Sequence, residues 1–216
     1  MSSEYLLNMA VIVVISYLLG SIPTAYIVGR MQNVNIFEHG SGNMGATNVN
    51  RVLGARWGMF VLFVDMLKAI FAIVIAQQIK SPSASFEAAT SVASIAVVIG
   101  HNWSLFASII TGSIRGGKGA ATAFGTLLMV APIQIWLGMV IIGAIIITRT
   151  RYVSLAVLTM ISIAAVWMTV LISQEALTSD LLAYIWILVA LIMWRFRDNI
   201  QRLLTGTERR LGEPAV

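Results

Sequence analysis

The chain has 216 residues, 58% hydrophobic and 11% charged, with a mean hydropathy of +0.88. A soluble domain is about 45–50% apolar and about 25% charged, so this composition excludes a water-soluble globule and a disordered chain and points to an integral membrane protein. Cysteine is absent and histidine occurs twice, which leaves no disulfide, no thiolate nucleophile and little basis for a metal site. The net charge of +5 comes without the basic stripe and stacking aromatics of a nucleic-acid binder. On a membrane protein such a charge reports orientation.

A spanning helix needs about 20 mostly apolar residues. In chain order, residues 6–28, 58–79, 86–110, 120–131, 132–147, 154–172 and 181–194 qualify, with 120–131 short. The first run follows Glu4 rather than a basic patch and is long enough to span, so it reads as a span and not as a cleaved signal. Counting the short run as a span gives seven and puts the two chain ends on opposite sides. One face then holds Arg30, Arg51, Arg56, Arg115, Lys118, Arg149, Arg151, Arg195, Arg197, Arg202, Arg209 and Arg210, and the other only Lys80, beside Glu4, Glu87, Glu175 and Asp180. By the positive-inside rule the N-terminus is outside and the C-terminus cytoplasmic. The expectation is an all-α polytopic membrane protein, a single integral membrane domain over 1–216. Its cytoplasmic loops lie at about 30–57, 111–119 and 148–153, with a tail at about 195–216. These are too short to fold alone, so any chemistry belongs at the cytoplasmic surface between helices.

Four cytoplasmic segments offer groups for an anion. The first runs from Gly40 to Arg51 and packs Ser41, Gly42, Asn43, Gly45, Thr47 and Asn48 ahead of the arginine. Backbone N–H groups, hydroxyls, amides and a guanidinium suit phosphate or carboxylate; the bland alternative is a polar linker. Its Gly-x-Gly-x-x-Gly spacing is a weak dinucleotide match, because no strand precedes it. The second, Arg115-Gly116-Gly117-Lys118-Gly119, opens the short helix, where free N–H groups and the helix dipole favour an anion. It misses a nucleotide-binding P-loop because Gly119 stands where Ser or Thr is needed. In the third, around Arg149 to Leu155, Ser154 reads either as a pocket hydroxyl or as a helix N-cap. The fourth, from Trp194 to Leu203, carries Arg195, Arg197, Asn199 and Arg202, and its plainer reading is a tail attracted to anionic lipid. Within the membrane, Asp65 and Lys68 lie three apart and read as a local ion pair with a snorkelling lysine. His101 reads as a boundary or packing residue.

Together these segments resemble the acyl-phosphate-dependent glycerol-3-phosphate acyltransferase (PlsY) family. The matching pieces are Gly20-Ser21-Ile22-Pro23, Gly40 to Arg51, Asp65-x-x-Lys68, Gly100-His101, Gly116 to Thr122, Ser154-Leu155 and Asn199-Ile200-x-Arg202-Leu203. The resemblance implies a multi-pass enzyme of the bacterial inner membrane, with seven spans. It would move a fatty acyl group from acyl phosphate to the 1-hydroxyl of glycerol 3-phosphate, giving lysophosphatidate and phosphate among membrane lipids, with no metal or organic cofactor. Carried onto this chain, it implies catalytic roles for Ser41, Asn48, Arg51, Lys118, Ser154 and Asn199. It implies substrate contacts from Gly42, Asn43, Gly45, Thr47, Gly116, Gly117, Gly119 and Arg195. Two features depart from the family pattern. Phe196 stands where the family has histidine, and fourteen residues separate His101 from Gly116, a longer spacing than usual. The alternatives are a small anion transporter and a non-catalytic or altered-substrate paralogue that binds lipid phosphates.

Overall fold

The computed structural model describes residues 3–80 and 84–213, which form eleven helices. These are α1 (Ser3–Ser21), α2 (Thr24–Met31), α3 (Ala46–Leu53), α4 (Ala55–Ile79), α5 (Phe86–Asn102), α6 (Leu105–Thr111), α7 (Ala120–Val130), α8 (Ile133–Thr150), α9 (Val153–Ser173), α10 (Asp180–Arg195) and α11 (Arg197–Leu204). Among the described residues, the α1–α2 run, α4, α8 and α9 are long and apolar enough to cross a membrane. Their outer faces keep Leu7, Val14, Phe63, Phe71, Val166 and Ile141 exposed, as lipid-facing surfaces require.

Two expected spans are broken, each for a local reason. The run at 6–28 divides at Pro23, which has no N–H to offer the Leu19 carbonyl four residues back, so α1 ends before it and α2 begins after it, with the Thr24 N–H donating to the Ile22 carbonyl at 3.0 Å. The run at 86–110 ends at Asn102. There Ser104 caps a new helix, its Oγ accepting the N–H of Ala107 at 3.1 Å. The chain returns through Gly112 at φ +67°, and the Ser104 N–H donates to the Arg115 carbonyl at 2.9 Å. This closed loop absorbs the long spacing between His101 and Gly116.

The bundle closes through small residues. A Cβ on Gly20 would overlap the Val97 carbonyl, and one on Gly100 the Tyr17 carbonyl, so α1 and α5 meet backbone to backbone. The Tyr17 hydroxyl donates to the Trp103 carbonyl at 2.9 Å and locks the same pair. The main core runs through α4, α5, α7, α8, α9 and α10 and includes Val97, Leu127, Met139, Ile161, Met168, Tyr184 and Leu188.

Two hollows lie at opposite ends of these helices. One cavity of about 290 Å³ touches Arg51, Asp65, His101, Lys118, Ile147, Ser154 and Phe196. A second hollow of about 600 Å³ touches Phe86, Glu87, Met129, Val130, Ile172, Glu175 and Leu181. Helix α7 runs from the first, at Gly119 and Ala120, to the second, at Met129 and Val130. Its 11 residues are only about 16 Å long at 1.5 Å per residue. The second hollow is the space left where this short helix stops.

Candidate active site

The wall nearest α3 is shaped by two glycines and one asparagine. Gly40 and Gly42 take φ of +63° and +64°, a region that side chains other than glycine rarely adopt, and fold the loop back over α3. Asn48, in the first turn of α3, donates to the carbonyls of Ile36 and His39, both at 3.2 Å, and accepts the Ser41 N–H at 2.7 Å. Its polar atoms are therefore spent on the loop, which they brace. Ser41, Asn43, Gly45, Thr47 and Arg51 then line the cavity together with Asn48. Gly42 makes the turn and does not reach the wall. Arg51 makes no hydrogen bond or ion pair with any described residue. Burial pushes its pKa down, and Arg209 beside it pushes in the same direction. An arginine stays protonated regardless, so the site holds a half-buried cation suited to an anionic ligand.

The glycine segment works differently. A Cβ on Gly116 would overlap the Asn102 carbonyl, and one on Gly117 would overlap Nε2 of His101. Gly117 N–H donates to the His101 carbonyl at 2.8 Å, and Arg195 donates to the Gly117 carbonyl from Nε at 3.1 Å and Nη2 at 2.6 Å. Gly116, Gly117 and Arg195 thus press this backbone onto the end of α5 and stay off the cavity wall. Lys118 and Gly119 reach it. Gly119, at φ +79°, is the N-cap of α7. Lys118 is pushed down to a pKa of about 8, first by burial and then by Arg202.

The opposite wall is organised by a residue with no signal in the sequence. Glu208, in the tail, accepts Ser154 Oγ at 2.9 Å and Asn199 Nδ2 at 2.6 Å on Oε1, and Arg202 Nε at 2.8 Å on Oε2. Asn199 Oδ1 in turn accepts from Lys118 Nζ. Ser154 is therefore not the N-cap of α9; Tyr152 holds that position, and the Ser154 hydroxyl turns to the tail. The tail is pinned further on, where Leu211 N–H donates to the Arg151 carbonyl at 2.7 Å and Arg151 Nε returns a bond to the Leu211 carbonyl at 2.9 Å. Phe196 lines the cavity with Lys118 Nζ 5.3 Å from its ring centre. The longer segment before Gly116 contributes no lining residue between Asn102 and Gly117.

A second carboxylate closes the cavity from within the bundle. Asp65 Oδ1 accepts Thr24 Oγ1 and Lys68 Nζ, both at 2.9 Å. Lys68 does not snorkel; it is 4% exposed and also reaches the Ile22 carbonyl and His101 Nδ1. His101, read from the sequence as packing, lines the cavity with Asp65. The remaining wall is apolar and comes from Leu62, Phe124, Ile147, Val157, Met160 and Ile161. A polar, cationic mouth thus opens onto an apolar floor, a shape suited to holding a phosphate-bearing reactant beside an acyl chain.

The glycerol-3-phosphate acyltransferase family, by its sequence profile, matches residues 10–206. A glycerol-3-phosphate acyltransferase of Halalkalibacterium halodurans is 43% identical over 204 residues, covering 93% of this chain and 94% of the relative. That of Thermus thermophilus is 40% identical over 202 residues, with 93% and 94% covered. Two crystal structures of PlsY (YgiH), an integral membrane glycerol 3-phosphate acyltransferase, superpose at 34% identity. The glycerol 3-phosphate form gives a TM-score of 0.81 over 94% of this chain and 96% of that one. The lysophosphatidic acid form gives 0.79 over 94% and 95%. The chain therefore belongs to the glycerol-3-phosphate acyltransferase family and is a multi-pass membrane acyltransferase of phospholipid biosynthesis.

Proposed function

We propose that this enzyme transfers a fatty acyl group from acyl phosphate to the 1-hydroxyl of glycerol 3-phosphate. The hydroxyl oxygen bonds to the acyl carbon, the acyl–phosphate bond breaks, and a substrate phosphate takes the hydroxyl proton. Lysophosphatidate and inorganic phosphate leave. Phosphate is already a good leaving group, so the site needs cations and oriented donors more than a strong base. Arg51 and Lys118 neutralise phosphate charge. Ser41, Thr47, Ser154 and Asn199 orient oxygens, Asn43, Gly45 and Gly119 shape the wall, and Asn48 holds the first loop. Gly42, Gly116, Gly117 and Arg195 act through the backbone they fix. The acyl tail lies along the apolar floor toward lipid. Holding both reactants in attack geometry supplies up to about 7–11 kcal/mol in the best intramolecular cases.

The observation that carries this reading is the meeting of Arg51 and Lys118, from separate segments, on one cavity with an apolar floor. We further infer seven passes in a bacterial inner membrane, with the N-terminus outside and the cavity facing the cytoplasm. Residues 1–216 then form one membrane domain, and the loops at 30–57, 111–119 and 148–153 and the tail from 195 gather at the cytoplasmic end. Helix α7 supports this reading, since it joins a hollow rich in Arg and Lys to one carrying Glu87 and Glu175.

Purified protein in lipid, given palmitoyl phosphate and glycerol 3-phosphate, should release phosphate and lysophosphatidate in equal amounts. Arg51→Ala and Lys118→Ala should each lower turnover by about 100-fold or more. A wild-type preparation that forms no lysophosphatidate would overturn the reading.

A further inference from the structure

The site as described leaves one buried group without a task. His101 sits at the end of α5, 2% exposed, and is one of the residues lining the cavity. Its state is set by Lys68. That ammonium has three N–H bonds and three acceptors around it: the Ile22 carbonyl at 3.2 Å, Asp65 Oδ1 at 2.9 Å and His101 Nδ1 at 2.9 Å. An ammonium has no lone pair, so Nδ1 must accept. A neutral imidazole that accepts at Nδ1 carries its proton on Nε2. A second proton on the ring would aim an Nδ1–H at the ammonium and place two cations together. Asp65 lies 3.9 Å from Nδ1, and its Oδ1 already serves Lys68 and Thr24.

The Nε2–H has no acceptor among the described residues. Gly117 packs against this nitrogen, and a Cβ there would overlap it, so only a glycine leaves the donor room. The result is a neutral donor, fixed in orientation by Lys68, on the same cavity as Arg51 and Lys118.

We propose that His101 Nε2–H is a catalytic hydrogen-bond donor to the acyl carbonyl oxygen of the acyl phosphate. This rests on the acyl-transfer reading above. As the glycerol 3-phosphate hydroxyl attacks, the carbonyl oxygen gains negative charge, and a preorganised donor stabilises it more than the ground state. The new bond joins the acyl carbon to the hydroxyl oxygen, the phosphate leaves with its electron pair, and the hydroxyl proton goes to phosphate. His101 keeps its single proton throughout. Arg51 and Lys118 hold phosphate charge, while His101 acts on the carbon being transferred.

Two substitutions separate this role from packing. In His101→Asn the amide oxygen can take the Nδ1 position and still accept from Lys68, but nothing donates from the Nε2 position. In His101→Gln the amide nitrogen reaches that position. With palmitoyl phosphate and glycerol 3-phosphate, His101→Asn should lower kcat about 100-fold and leave KM for glycerol 3-phosphate within about twofold. His101→Gln should recover about tenfold over Asn. Wild-type kcat in the Asn variant, or equal loss in both, would overturn the proposal. Independently of any variant's folding, nitrogen-15 spectra of the wild-type protein, which has two histidines to resolve, should show one ring protonated at Nε2 alone from about pH 5 to 9. A ring that titrates there, or one protonated at Nδ1, would also overturn it. Absence of turnover in the wild-type chain would instead count against the acyl-transfer reading itself.

Discussion

Asp65 and Glu208 face the same cavity and are held in opposite ways. Asp65 is gripped from α2 and α4, and its partners Lys68 and Thr24 are buried with it. Glu208 arrives on a tail that folds back, and its partners Ser154 and Asn199 are themselves residues expected to meet substrate. The first carboxylate ties α2 to α4 and holds Lys68 in place beside His101. The second aligns the donors at the mouth, reaching Lys118 through Asn199. A charge sunk among helices cannot be rearranged cheaply, so Asp65 is suited to what must not move. A charge carried on a tail suits groups that must be presented to a ligand.

The largest effect that would sharpen this contrast is on stability. Asp65→Ala leaves Lys68 buried and charged without its carboxylate, with only the neutral Ile22 carbonyl and His101 Nδ1 as partners, and should cost about 3–5 kcal/mol, read as a lower denaturant midpoint in detergent. Glu208→Ala should release the tail. Turnover should fall about 10- to 100-fold, equivalent to about 1.4–2.7 kcal/mol in barrier, and cleavage near residue 208 should appear under limited proteolysis. Tail protection equal to wild type would erase the distinction between the two carboxylates.

A third test uses pH. Lys118 is pushed below its usual value to about 8, with burial as the main cause. It is charged below that pH and loses its proton above it, so kcat/KM should fall about tenfold per unit as pH rises beyond 8. Because the unfolded chain binds this proton up to about 10.5, the same group makes the fold more stable with rising pH between about 8 and 10.5. Glu208 favours the charged lysine, so in Glu208→Ala the alkaline limb should move to lower pH. An unmoved limb would separate the two residues. The smallest expected effect is at Phe196, whose ring lies under Lys118. Phe196→His keeps a ring there and adds a donor, and should raise turnover by about two- to fivefold, the scale of a cation–π contact. An unchanged or lower rate would mean the mouth has adapted to phenylalanine.

The membrane class and the cationic segments were legible in the sequence because both are local: apolar run length, Lys and Arg bias, and glycines clustered with donors. The break between α1 and α2 at Pro23 is hidden in the sequence because the length of an apolar run does not register one missing backbone N–H. Lys68 read as a snorkelling residue because a helix seen alone offers it only Asp65; α5 and the broken first span supply the other two acceptors. Glu208 had no signal, since a single glutamate in a basic tail looks like solvated surface until the tail folds onto Ser154 and Asn199.

Composition and charge order alone determined that this chain lives in a membrane and gathers its cations along particular loops, because water and lipid sort residues by polarity without reference to any partner. Which cations meet on one cavity, which glycines serve turns and which serve close packing, and which acceptors surround Lys68 were decided only in three dimensions. Each of these depends on a partner far away in the chain, and only packing of the helices brings it within hydrogen-bonding distance.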